Sequence, residues 1–168
     1  MSSKTPWNWQ DADSASIQLA KHFGAKVTGV CSASNIGLVE SLGAKHVIDY
    51  TKNDFTKNNE TYDVILDAVG NLSLPQCKKS LRKHGKLILI NTGLVTNLLS
   101  IIRKNLICGV AGESKEGLDF LRECVEGGNI KAIIDRIYPL KKTAEAHRYV
   151  DKGHKKGNVV ISVDHEET

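Results

Sequence analysis

The chain has 168 residues, 40% of them hydrophobic and 25% charged, with a net charge of +4. That length and balance suit one soluble globular domain with a real core and exclude a disordered or fibrous chain. Lys and Arg are scattered rather than massed, which argues against a nucleic-acid partner, and no apolar run approaches the ~20 residues that span a bilayer.

Residues 1–13 read as an atypical N-terminal segment. Trp7, Asn8, Trp9 and Gln10 lack the apolar centre of a signal peptide, so a reducing, cytoplasmic setting is expected. From Ser14, SASIQLAKHF sets Ile17, Leu19, Ala20 and Phe23 on one helical stripe, and Gly24 is placed to stop that helix. Val27–Val30 fits a short buried strand. SNIGLVESLGA follows as a short helix, with Ser34 as its N-cap and Gly43 as its stop. HVIDY is a second strand, TKNDFTKNNET a polar loop with at most one helical turn, and residues 62–67 a third strand.

The spacing in LSLPQCKKSLRKHG predicts an amphipathic helix with Pro75 in its first turn and Gly85 at its end. KLILIN is the strongest strand pattern. TGLVTNLLSIIRKN is ambiguous between loop and helix, and LICGVAG reads as a strand. KEGLDFLRECVEGG is a helix closed by paired glycines, IKAIIDRIYPL is extended, KTAEAHRYVDKG is a helix and GNVVISV a last strand, before a loose tail at 164–168. Strand and helix alternate without repeats, the pattern of an α/β fold built on a parallel sheet.

In such a sheet, ligands bind beyond the carboxyl ends of the strands. The residues at those ends are Cys31-Ser32, Asp49-Tyr50, Asp67-Ala68-Val69-Gly70 and Asn91-Thr92-Gly93, many of them small, hydroxyl-bearing or glycine. An NAD site usually places a carboxylate after the second strand of the fold to hold the ribose hydroxyls. Here Ser32 and Ser34 stand there with no acid before Glu40, which favours NADP; the same serines also suit turn and helix-cap roles. Asp67 is expected to hold the loop that follows it. Asp63 and Asp67 lie ~13 Å apart along a strand, too far for a catalytic carboxylate pair. Cys31, Cys77, Cys108 and Cys124 show no metal-ligand spacing, and His147 reads as a surface or packing residue.

Residues 16–50, with YDVILDAVG, GKLILINTG and AHRYVDKGHKKGNVVISV in order, resemble the medium-chain dehydrogenase/reductase superfamily, in its quinone-oxidoreductase-like, zinc-binding-dehydrogenase-type branch. The resemblance implies a Rossmann-like, doubly wound parallel sheet over residues 14–163 that carries NADP(H) and reduces a small quinone, enone or carbonyl without catalytic zinc. It implies that Ser32 and Tyr50 lie near the adenosine end of the cofactor. Ala68, Val69 and Gly70, with Asn91, Thr92 and Gly93, would line the path to the nicotinamide. No residue of the chain is assigned a catalytic role. Ser34 falls where many relatives carry a lysine that pairs with the 2′-phosphate, a departure that removes one phosphate partner.

Two further departures concern the start of the fold. The first strand and its glycine-rich turn are not found, and counting back from SIQLAK sets those glycine positions on Gln10, Asp11 and Asp13. An aspartate capping the helix would repel a phosphate by roughly 4 kcal/mol at ~4 Å and an effective dielectric of 20. The doubly wound sheet is therefore expected to be incomplete, with unpaired edges on strands 26–31 and 62–67. The catalytic domain of the family is also not found, and residues 130–163 would pack partly on it and expose an apolar side here. Weak or no activity of the chain alone is expected. The alternative is a non-catalytic module pairing with a second copy or a complementary chain.

Overall fold

The computed structural model describes residues 11–70, 72–90, 103–108, 114–153 and 155–163, with side chains from Ser14 onward. Helix α1 runs Asp11–His22. Strand β1 (Thr28–Cys31) follows, then a 3-10 turn at Ala33–Asn35 and helix α2 (Ile36–Ser41). Strand β2 (His46–Asp49) leads through a turn at Phe55–Lys57 to β3 (Tyr62–Asp67). Next come α3 (Leu74–Cys77), β4 (Leu81–Leu89) and β5 (Leu106–Cys108). Helix α4 (Lys115–Glu126), β6 (Ile134–Pro139), α5 (Thr143–Asp151) and β7 (Asn158–Ser162) complete the order.

Every strand pair is parallel, as the alternation of elements requires. β1 pairs with β2, β3 with β4, β4 with β5, and β6 with β7. Among the described residues β1 has no partner but β2, and β3 none on its other side from β4. These two edges flank the centre of a doubly wound order, and among the described residues no strand runs between them.

Two apolar clusters hold the layers. One gathers Phe55, Ile65, Cys77, Leu87, Leu89 and Leu106, with Val30 and Ile48 packed against it. The other gathers Ile17, Cys31, Val39, Leu42 and Ala44, with Ile133 against it. Ile133 belongs to the C-terminal segment, which is tied down further by Gln18 of α1. The Gln18 amide accepts from Lys131 N (2.9 Å) and donates to Lys131 O (3.1 Å), so one buried side chain satisfies both backbone groups of a residue 113 positions away. The outer side of that segment, with Ile134, Ile137, Leu140 and Val163, is exposed as expected.

Local sequence decides most boundaries. Gly24 (φ +76°) and Gly43 (φ +109°) end their helices in the left-handed region that glycine enters without a side-chain clash. Three expectations need correction. Helix α1 already includes Asp11 to Asp13 ahead of Ser14, so Asp11 and Asp13 are helical and not at a cap position. Ser34 is not an N-cap: it lies inside the 3-10 turn, and Asn35 precedes α2. The helix expected over 72–85 is a single turn, started by a reciprocal Ser73–Gln76 capping box with Pro75 near its start. From Leu81 the chain is strand. Tyr62 N donates to Ser80 O (2.8 Å), Leu81 pairs with Tyr62, and Arg82 bonds Asp63 (2.7 Å), so pairing with β3 overrides a weak helical preference. Gly85 ends no helix; it lies buried in β4, where a Cβ would come within 3.0 Å of Tyr62 O.

Candidate nucleotide-binding site

The carboxyl ends of β1 and β2 meet side by side. Tyr50 N donates to Cys31 O (3.1 Å), which sets Tyr50 next to the Cys31-Ser32 turn. Ser32 is extended (φ −76°, ψ 159°) and caps nothing; its hydroxyl lies 3.0 Å from that of Ser34 at the surface. Asp49, at the end of β2 beside Tyr50, is buried. Its Oδ1 accepts from Thr51 Oγ1 (2.7 Å) and Thr51 N (3.0 Å), and Lys52 lies 3.8 Å from its other oxygen. The Thr51 hydroxyl above all holds the Asp49 carboxyl below its usual range, against the opposing effect of burial. Burial first, and the Asp49 charge second, push the Tyr50 phenol up, so it stays protonated as a donor at neutral pH.

The second wall is the turn after β3. The buried Asp67 carboxylate accepts from Val69 N (3.0 Å), Gly70 N (2.9 Å) and Leu72 N (2.7 Å). This is the loop-holding role expected of it, and it fixes Ala68, Val69 and Gly70 in one course, with Gly70 at φ +86°. Ala68 is buried, Val69 half-buried and Gly70 exposed. Ile90 N donates to Asp67 O (3.0 Å), so the end of β4 adjoins this loop. Asn91, Thr92 and Gly93 lie outside the described residues.

One residue at this corner escaped the sequence reading. Lys156, from the turn between α5 and β7, donates through Nζ to Ser34 O (3.3 Å) across 122 positions. Its own N–H is held by Asp135 Oδ2 (2.9 Å), which also accepts from the Tyr149 hydroxyl (2.6 Å). Burial raises the Asp135 carboxyl, but the Tyr149 hydroxyl, the Lys156 N–H and two nearby cations outweigh it and leave it low. Arg136 lies over the Tyr149 ring at 4.0 Å. The only sequence signal for Lys156 is the basic run in GHKKG, and spacing along the chain does not connect it to Ser34.

Other candidates are not assembled into sites. Asp63 is exposed on Arg82 while Asp67 is buried, and His147 is exposed on α5. Burial, with smaller effects from Asp49 and Glu40, pushes the Cys31 thiol up to about 11; burial, then Asp67 and Asp54, does the same for Cys77. Among the described residues no group of three or more His, Cys, Asp or Glu side chains is placed to hold a metal ion, and no helix is long and apolar enough to cross a membrane.

Residues 42–161 match the family model described as zinc-binding dehydrogenase. The chain is 32% identical over 155 residues to the chloroplastic quinone-oxidoreductase QR1 of Triphysaria versicolor, covering 86% of this chain and 47% of that one. It is 33% identical over 153 residues to the chloroplastic NADPH-dependent alkenal/one oxidoreductase of Arabidopsis thaliana, covering 86% and 36%. Among solved structures it superposes on the quinone oxidoreductase from Coxiella burnetii with a TM-score of 0.75 at 26% identity, over 89% of this chain and 49% of that one. The chain thus spans about half the length or less of the relatives it matches. Its Rossmann-like layers, its strand-end loops and these likenesses agree: the chain belongs to the zinc-binding dehydrogenase family, in the quinone-oxidoreductase-like branch of the medium-chain dehydrogenase/reductase superfamily.

Proposed function

We propose that this chain is the nucleotide-carrying part of an NADP(H)-dependent oxidoreductase acting on a quinone, enone or carbonyl. The observation that carries the reading is the corner at the ends of β1 and β2, where Ser32 and Ser34 meet Tyr50 beside Cys31 and the buried Asp49 carboxylate gives one oxygen to Thr51. Among the described residues the turn after β1 carries Ser32 and Ser34 where an NAD site usually places a carboxylate for the ribose, which supports NADP(H). Ser32 and Tyr50 would hold the adenosine end. Ala68, Val69 and Gly70, with Asn91, Thr92 and Gly93, would guide the rest of the cofactor to the substrate. Three backbone N–H groups engage the buried Asp67 carboxylate and hold that loop in place.

The nicotinamide supplies the hydride when bound, and the chain's own residues bind and orient it. The reading assigns no residue to a metal. Residues 14–163 form the Rossmann-like unit in this proposal, and the exposed Ile134, Ile137 and Leu140 support a face of 130–163 that packs on a catalytic portion. Four free thiols suit a reducing, cytoplasmic compartment. With Asp11 and Asp13 in α1 at positions of the family's phosphate-loop glycines, the 168-residue chain gives weak or no turnover by itself. Titrating the purified chain with NADPH and NADH by fluorescence, and then assaying NADPH oxidation over a quinone panel, tests both halves. NADPH binding weaker than micromolar, with negligible turnover, is expected; robust turnover overturns the weak-activity reading, and no binding of either nucleotide overturns the whole.

A second reading rests on the edges of β1 and β3 that carry no further strand among the described residues and would offer a template for another strand. In it the chain is a non-catalytic module that pairs with a second copy or a complementary chain. Light scattering after size exclusion separates the readings, since a clean monomer that binds NADPH rejects self-pairing.

A further inference from the structure

The geometry points to Lys156 as the residue that selects the phosphorylated nucleotide, presented by Asp135 from the far end of the chain. This inference rests on the nucleotide-binding reading above and specifies what distinguishes NADP(H) from NAD(H) at that site.

A phosphomonoester carries close to two negative charges and accepts several hydrogen bonds, so its subsite needs a cation and convergent donors. At the end of β1 the two serine hydroxyls, 3.0 Å apart, supply donors but no charge. The turn itself offers no basic side chain between Ser32 and Ile36. Lys156 brings the charge from another element. Its ammonium has three N–H donors, and the structure commits one of them to Ser34 O. Among the described residues its ammonium forms no ion pair within 4.0 Å, its charge acting on Asp135 only from beyond that distance. The hydroxyl pair and the Lys156 contact are all at the exposed surface, open to an incoming ligand.

The backbone that carries Lys156 is fixed more firmly than its flexible stem. Asp135 accepts the Lys156 N–H and the Tyr149 hydroxyl on the same oxygen, joining β6, α5 and the turn before β7. The next residue is Gly157, where any Cβ would overlap the carbonyl of Ile133. Asn158 N then donates to Ile133 O (2.6 Å). Lys131 and Ile133 anchor this unit to α1 and to the core beneath β1. Asp135 therefore acts as a positioning residue, setting where Lys156 stands relative to Ser34, and the docking of the C-terminal segment is coupled to the choice of nucleotide.

The test measures dissociation constants for NADPH, NADH and 2′,5′-ADP with the full chain and with K156A, K156R and D135N, at low and high salt. Each variant's thermal midpoint is recorded alongside. Removing a charge-assisted contact should weaken NADPH and 2′,5′-ADP by about tenfold or more for K156A. NADH should stay within about twofold, K156R should recover most of the loss, and the NADPH preference of the parent should shrink in high salt. D135N should lower the NADPH-to-NADH ratio by a smaller factor, a change that general destabilisation would not produce. An equal loss of NADPH and NADH in K156A, or no loss, overturns the role of Lys156 while leaving nucleotide binding intact. Failure of the parent chain to bind any of the three overturns the nucleotide reading, and this inference with it.

Discussion

Gly29 and Val39 make the contact that seats α2 on β1, and it can be tested by swapping their volumes. A Cβ built on Gly29 would overlap Val39 Cγ1, while its next neighbours, Ala44 Cβ at 3.6 Å and Val39 Cβ at 3.7 Å, are at ordinary contact distance. Val39 is 0% exposed and cannot swing away, and a β-branched side chain in a helix has essentially one rotamer. Gly29→Ala should therefore cost ~1–3 kcal/mol for overpacking, less the ~0.5–1 kcal/mol that alanine gains over glycine in a strand. Val39→Ala removes the obstructing methyl with its twin and should cost roughly 2 kcal/mol, from transfer and cavity together. In the double variant the new methyl at 29 occupies space vacated at 39, so the pair should be less destabilised than the sum by ~1–2 kcal/mol. Urea denaturation followed by circular dichroism reads all four states. Thermal midpoints should move by about 2–4 °C for each kcal/mol in a chain of this size. Additivity within ~0.5 kcal/mol would refute the claim that one methyl contact sets the helix–strand distance. The Ser32–Ser34 turn hangs between these two elements, so Gly29→Ala should also weaken nucleotide binding, and Val39→Ala on that background should restore part of it.

Asp67→Asn keeps one acceptor oxygen but turns an amide N–H towards Leu72 N; a loss of ~2–3 kcal/mol in denaturant stability is expected, with weaker nucleotide binding, and an unchanged midpoint would reject the loop-holding role. Native thiol titration at pH 8 should leave Cys31 and Cys77 unreactive until denaturant is added, because burial holds both thiols near 11. The Asp49 carboxyl is lower in the folded chain than its ordinary value of 3.8, so its contribution to stability is fully present above that value and is lost as pH falls through the lower, folded one. Thr51→Ala should raise the folded value towards 3.8 and flatten the stability-versus-pH curve in that acid range; an unchanged curve would show that the Thr51 hydroxyl does not set it.

The local features were legible in the sequence because their causes are local. Ile17, Leu19 and Ala20 follow helical spacing, glycines 24 and 43 enter the left-handed region, and the β-branched runs at 27–30 and 62–67 pair as parallel strands. Asp67 could be assigned its loop because its partners are two, three and five residues away. The residue types at the strand ends pointed to Ser32 and Tyr50 for the same reason: topology alone puts strand ends in one crevice.

Tertiary structure decided what depends on partners distant in sequence. LRKHG carries a helical pattern, yet Leu81 and Arg82 take their bonds from β3, because a strand partner satisfies the backbone and buries Leu81 together. Gln18 looks like an ordinary polar helix residue until Lys131 arrives beside it. Lys156 reads as one solvated charge among many, and only the folding of β6, α5 and β7 brings it to Ser34. Sequence periodicity encodes which face of an element is apolar, and so it fixed the elements and their order. It does not encode which surface meets that face, and that meeting set the start of β4, the seat of the C-terminal segment and the place of Lys156 beside Ser34.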